Sequence, residues 1–187
     1  MKRRIRQKDI NVFDLCSLEC RRAFKGNKYF KGVYASDQLQ KVSFALPYGI
    51  IVNTDPSSKP GTHWIAIFAK RKDHIEYFDS FGRPPYVASI VDFLQKHSCC
   101  FGYCSIPIQD VFSVACGHFA IGFLKARFRN ISCDDFLDLF DLENLSSNDQ
   151  RIQKWNTMCR AYKRLKSVRS STVKGSTMEQ TNHSTCR

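Results

Sequence analysis

Apolar residues fall into two spacings along this chain, and the places where one gives way to the other outline its elements. Trp64-Ile-Ala-Ile-Phe68 and Ile75-Glu-Tyr-Phe78 are short β-branched and aromatic stretches that read as strands, with Lys70 to His74 as their hairpin connection. Tyr48 to Asn53 is a brief apolar run, stopped by Asp55-Pro-Ser-Ser-Lys-Pro-Gly61, a cluster of turn formers that reads as an exposed loop. Tyr103 to Ile108 is a third candidate strand, and Lys25 to Leu39, with two glycines among aromatics, reads as a loop wrapped onto the body. Helical spacing governs Asp9–Arg22, Tyr86–His97 and, most clearly, Cys116–Phe128, where Phe119, Ala120, Phe123 and Leu124 recur at three and four residues. Ser132 is placed to cap one more helix, with Phe136, Leu139 and Phe140 facing inward. Strands followed by helices without regular alternation predict an α+β domain over residues 10–150.

Composition changes this picture at the ends. The 187 residues carry 29 Lys and Arg against 17 Asp and Glu, a formal charge of +12. Residues 1–9 hold five of those cations and one acid, and residues 151–187 hold nine cations and one acid, which leaves 15 of each sign in 10–150. A neutral body with basic ends suits contact with a polyanion such as DNA, and Lys163-Arg-Leu-Lys166 also fits a nuclear-import signal. The expected organisation is a basic arm over 1–9, the domain over 10–150, and a basic tail over 151–187 whose Ser- and Thr-rich end reads as disordered. No apolar run approaches the ~18 to 20 residues of a membrane-spanning helix, and none follows the basic start as a secretory leader requires. Nine cysteines without such a leader predict reduced thiols in an intracellular compartment, with Cys99, Cys100 and Cys104 as small buried apolar groups or, for one of them, a redox handle.

Four residue types capable of acyl-transfer chemistry fall at the ends of predicted elements. His63 precedes the Trp64 strand, Asp79 ends the next, Gln109 follows the third, and Cys116 opens the strongest helix. A cysteine at a helix N-terminus meets the positive end of the helix dipole, which favours thiolate. A nearby imidazole lowers the thiol pKa further and can protonate a leaving amine, and a carboxylate fixes that imidazole's tautomer. A glutamine amide beside the Cys116 backbone N–H makes an oxyanion hole. On this reading Cys116 is the thiol most reactive toward alkylation.

Gly61-Thr-His-Trp64, Tyr77-Phe-Asp-Ser-Phe-Gly82 and Gln109-x6-Cys116-Gly-His118 resemble the adenain (adenovirus maturation protease) family. The stretch Asn53 to Trp64 is similar in wording to adenain-like proteases of Polinton (Maverick) elements and related viruses. The resemblance covers about residues 28–145. It implies an adenain- and SUMO-protease-like fold, a permuted papain-like domain with a mixed central sheet flanked by helices. It also implies a cysteine endopeptidase with His63 as base, Asp79 as its orienter, Gln109 as oxyanion donor and Cys116 as nucleophile. Adenain has Glu where Asp79 stands, and the thiols near residue 100 do not match the position that holds its activating peptide, so that peptide is not carried over. The substrates implied are capsid or core precursor proteins, processed in the host nucleus or the virion by a monomer that needs no metal, with DNA as a candidate activator. Two other readings keep the same residues: a deconjugase for SUMO-type modifiers, and a nucleic-acid-binding protein in which the protease core is a relic.

Overall fold

The structure is a computed structural model that describes residues 12–159, with side chains from Leu18 onward. The basic arm expected over 1–9 and the end of the tail, 160–187, lie outside the described residues. Five strands form a single mixed sheet, β1 (Phe30–Ala35), β2 (Tyr48–Asn53), β3 (Trp64–Arg71), β4 (His74–Phe78) and β5 (Phe101–Tyr103), hydrogen-bonded in that order. The three central strands are an antiparallel meander, and the outer strands pair parallel to their neighbours. A parallel neighbour needs a crossover, and helix α2 (Ala88–His97) supplies the one from β4 to β5.

Because β2 and β3 are covered on both sides, they read as unbroken apolar runs. Ile65, Ile67, Ile50 and Val52 meet Ile90, Phe93 and Leu94 of α2 and Leu39 of a short 3-10 turn (Ser36–Lys41). The opposite face carries Ile51, Trp64, Ala66, Phe68 and Phe78, and packs on α1 (Val12–Ala23), α3 (Cys116–Arg127) and α4 (Cys133–Leu137). The period of two along each strand thus feeds two separate cores. Each buried aliphatic or aromatic side chain in them contributes about 1.5–3 kcal/mol.

Helix α3 is buried from Cys116 to Ala126 except at His118. On one side lies the sheet. On the other lies a helix over 148–159, here α5, in which Ile152 is fully buried against Gly122. A methyl group at Gly122 would overlap the Ile152 side chain, so glycine sets the closeness of these two helices. Lys125, buried on α3, donates from Nζ to the carbonyl and the Oδ1 of Asn156, both at 3.0 Å. The packed body therefore crosses position 150, where the sequence reading placed the start of the tail.

Two other expectations shift. Lys25 to Leu39, read as a loop, contains β1, with an irregular register beside Gly32. The third strand lies at Phe101–Tyr103, ahead of the expected Tyr103–Ile108. The stretch that follows is stitched by its backbone to Ser80, whose carbonyl accepts from Ile108 N at 2.9 Å and Gln109 N at 3.0 Å. Cys99 and Cys100 lie exposed and Cys104 is half-buried, so none of the three is the buried apolar group expected.

Candidate active site

Each candidate residue is delivered by the end of an element. His63 immediately precedes β3, and its carbonyl accepts from Thr54 N at 2.9 Å, fixing the turn from β2. Gly61 enters this turn at φ +89°, and a Cβ there would press on Asn53. Asp79 follows β4, and the turn after it is closed by Gly82 N donating to the Asp79 carbonyl at 2.9 Å. Gly82 has φ +67°, and any Cβ would lie 2.7 Å from the Ser105 carbonyl, so this turn admits glycine alone.

The structure brings three of the four residues into one chain of contacts. His63 Nε2 lies 2.9 Å from Asp79 Oδ1, and the Cys116 thiol is within hydrogen-bonding reach of the same ring. With Nε2 committed to the carboxylate, Nδ1 is the nitrogen left for sulfur. Burial disfavours the imidazolium, but hydrogen bonds to Asp79 and Cys116, with the charge of both, outweigh it and push the His63 pKa up to about 9. Asp79 is itself buried; its Oδ1 also accepts from Phe81 N at 2.8 Å, while Oδ2 has no partner among the described residues. The Phe81 ring lies 5.0 Å from the imidazole, tilted by 31°, and the Arg83 guanidinium lies over the same Phe81 ring at 4.9 Å. Trp64, the neighbour of His63, belongs to the core between the sheet and α3.

Cys116 is the first residue of α3, whose N-cap, Ala115, has no side chain to cap it, so the sulfur sits at the positive end of the helix dipole. Gln109 is brought beside Ser80, whose Oγ donates to Gln109 Oε1 at 2.6 Å. The Gln109 amide nitrogen donates to the carbonyl of Ser113 at 2.9 Å and to its Oγ at 3.1 Å. Ser113 Oγ also accepts from Ala115 N at 3.1 Å and donates to Asp149 Oδ1 of α5 at 2.8 Å. Ser80, Ser113 and Asp149 are the site residues that sequence reasoning missed. Ser80 and Ser113 lie inside the motifs already singled out, whereas Asp149 carries no local signal.

A second sulfur pair lies elsewhere. Cys104 and Cys133 are hydrogen-bonded to each other and line a cavity of about 390 Å³ with Glu76 and Arg127, which are themselves paired at 2.6 Å. The Cys133 thiol and the N–H of Ile106, at 3.4 Å, both point at Cys104 sulfur; against the cost of burial they lower its pKa to about 6. The backbone carbonyl of His118 accepts from Asn156 Nδ2 at 2.9 Å. Among the described residues no cluster of three or more His, Cys, Asp or Glu is placed to hold a metal ion, and no helix is long and apolar enough to cross a membrane.

No protein-family model matches this chain. Over 123 residues it is 27% identical to the cysteine protease S273R of African swine fever virus, an alignment that takes in 56% of this chain and 45% of that protein. A protein from another isolate of the virus, named SUMO-1 cysteine protease S273R, is 26% identical with the same coverage. The chain spans about half the length of these curated relatives. The crystal structure of selenomethionine pS273R protease from the same virus superimposes with a TM-score of 0.51 at 18% identity, over 79% of this chain and 66% of that one. The chain thus has the α+β fold of a viral cysteine protease, a mixed sheet with helices on both faces, and resembles viral proteins named as cysteine proteases.

Proposed function

We propose that this chain is a cysteine endopeptidase with Cys116 as nucleophile. The observation that carries the reading is the position of His63, bonded to Asp79 at 2.9 Å and in contact with the Cys116 thiol at the opening of a buried helix. As catalysis begins, His63 takes the proton of Cys116, giving the nucleophilic sulfur and an imidazolium held by Asp79. The thiolate attacks the carbonyl carbon of the scissile peptide, and the carbonyl oxygen becomes an oxyanion facing the Cys116 N–H. Gln109 joins it by exchanging its 3.1 Å bond to Ser113 Oγ for one to the oxyanion, since that hydroxyl retains Asp149 and Ala115 as partners. His63 then gives its proton to the leaving amine, the C–N bond breaks, and an acyl–sulfur intermediate remains. Water, deprotonated by His63, hydrolyses it and regenerates the thiol.

The substrates proposed are viral or transposon structural precursors, in keeping with the viral relatives and with the motifs at 61–64, 77–82 and 109–118. Removal of a SUMO-type modifier is the second reading, favoured by the name that one relative carries. DNA as activator rests on the basic ends alone. Wild type and Cys116→Ala, each incubated with a capsid precursor and with a SUMO conjugate, with and without DNA, test all of this. Wild type should cleave one of the two, and the variant should be slower by at least about 10,000-fold. Equal inertness of both proteins from acidic to neutral pH would refute the peptidase reading.

A further inference from the structure

The loop that leads into the nucleophile exposes its apolar side chains. Val111, Phe112 and Val114 are 71%, 93% and 95% exposed, and they are the three most exposed of the large hydrophobic residues described. Scattered surface apolar residues are ordinary, but three within four positions form a patch.

The loop is also held firmly at its base. Asp110 closes a turn through its carbonyl, which accepts from Ser113 N at 3.0 Å, and through Oδ1, which accepts from Phe112 N at 2.8 Å. Ser113 turns inward between the exposed residues and bonds Gln109, Ala115 and Asp149. The outcome is a fixed apolar crest, with Gln109 at one foot and Cys116 at the other. A crest held in place before contact loses little conformational freedom when it binds.

We infer that Val111, Phe112 and Val114 form a substrate-binding crest that takes an apolar side chain of the polypeptide being cleaved, at a fixed position beside the scissile bond. The inference rests on the peptidase reading and adds a specificity element to it. Continuity identifies the occupant: a carbonyl that reaches Cys116, two residues beyond Val114, must belong to a chain lying along this loop. Other occupants fit less well. Residues 107–118 contain no Lys or Arg to draw an anionic lipid surface. Three side chains are also far short of the ~800 Å² per partner that a stable dimer buries.

A library of proteome-derived peptides, digested by wild type, by Phe112→Ser/Val114→Ser and by Phe112→Leu, tests this by mass spectrometry. In parallel, peptide mapping after brief iodoacetamide treatment reports the condition of Cys116 without any polypeptide bound. Wild type should enrich an apolar residue at one position relative to the cut. The double serine variant should lose that enrichment and cut the enriched peptides about 10- to 100-fold more slowly, with Cys116 alkylated at the wild-type rate. Phe112→Leu, which keeps the apolar area, should retain the preference. Identical profiles for wild type and the double variant would overturn the crest while leaving the peptidase standing. So would an unchanged profile accompanied by loss of self-association or of binding to neutral phosphatidylcholine vesicles, which would assign the patch to those partners. A wild type that cuts no peptide although Cys116 alkylates rapidly would overturn the peptidase reading, and the crest with it.

Discussion

Two sulfur sites in this molecule are activated in different ways, and the contrast shows what separates a reactive thiol from a catalytic one. Cys104 receives a hydrogen bond from the Cys133 thiol and another from a backbone N–H, and these lower its pKa to about 6. Neither donor can return a proton usefully to a leaving group: the thiol of Cys133 has its pKa raised by its bond to Cys104 and by burial, and an amide does not titrate. Cys116 instead faces an imidazole whose far nitrogen is held by a buried carboxylate, and it opens a long helix. Stabilising a thiolate takes only donors. Turning over an acyl group also takes a proton carrier that cycles, and among the described cysteines Cys116 is the one set against such a carrier.

The largest expected effect comes from degrading that carrier. In Asp79→Asn the partner of His63 Nε2 loses its charge, burial is opposed by Cys116 alone, and the imidazole pKa should fall from about 9. Peptide cleavage should drop by about 1,000- to 10,000-fold near neutral pH, while Cys104 alkylation stays as it was. Stability should respond too. A folded-state pKa above the unfolded one contributes stability that is complete below pH ~6.5 and is lost as pH rises through about 9. Unfolding free energies from urea titrations at pH 6 and pH 9.5 should therefore differ through this residue in wild type, by at most roughly 3 kcal/mol, and this part of the difference should shrink in Asp79→Asn. A variant with wild-type kcat/KM would break the contrast between the two sulfurs.

Alkylation sharpens it from the other side. With a pKa of about 6 and partial exposure, Cys104 competes with Cys116 for iodoacetamide, contrary to the expectation that Cys116 would lead all other thiols. Cys133→Ala removes the thiol donor, and the midpoint of the Cys104 pH–rate profile should move from about 6 toward the ordinary 9. A complete return to 9 would cut the thiolate fraction at pH 7 about 90-fold while the more basic sulfur regained about 20-fold in intrinsic nucleophilicity, so the net slowing should not exceed about 4-fold. Cleavage should be untouched. A midpoint that stays near 6 would show that the backbone N–H of Ile106 suffices to hold the thiolate.

How much of this was legible in the sequence depended on how local its cause was. Cys116 as a helix start, His63 before a strand and Asp79 after one follow from apolar spacing and from turns that demand Gly61 and Gly82. The strand Phe30–Ala35 was hidden because Lys31 and Gly32 spoil its pattern, and its pairing is with a parallel neighbour across a crossover. The third strand was misplaced because Ile106 to Gln109 look extended, yet their backbone serves Ser80 rather than a sheet. Helix 148–159 was masked by charge: Arg151 and Lys154 suggested a tail, while Ile152, Asn156 and Cys159 turn inward at helical spacing. The bond from Ser113 to Asp149 spans 36 positions and depends on where that helix docks, which no local pattern encodes.

The smallest effect concerns that bond, and it bears on what kind of support the Cys116 site has that Cys104 lacks. Ser113→Ala removes the hydroxyl shared by Gln109, Ala115 and Asp149 and leaves Gln109 only the Ser113 carbonyl. If Ser113 positions the oxyanion donor, kcat should fall by about 10-fold with KM nearly unchanged, because the donor counts only once the oxyanion forms. Ser113→Thr, which restores the hydroxyl, should recover most of the loss, and Asp149→Asn, which keeps an acceptor, should lose less than Asp149→Ala. Stopped-flow separation of acylation from deacylation would place the defect in both steps, since each passes through an oxyanion. A rise in kcat for Ser113→Ala would reverse the assignment: the serine would be restraining the Gln109 amide from the oxyanion, and helix 148–159 would be a brake on the site instead of its support.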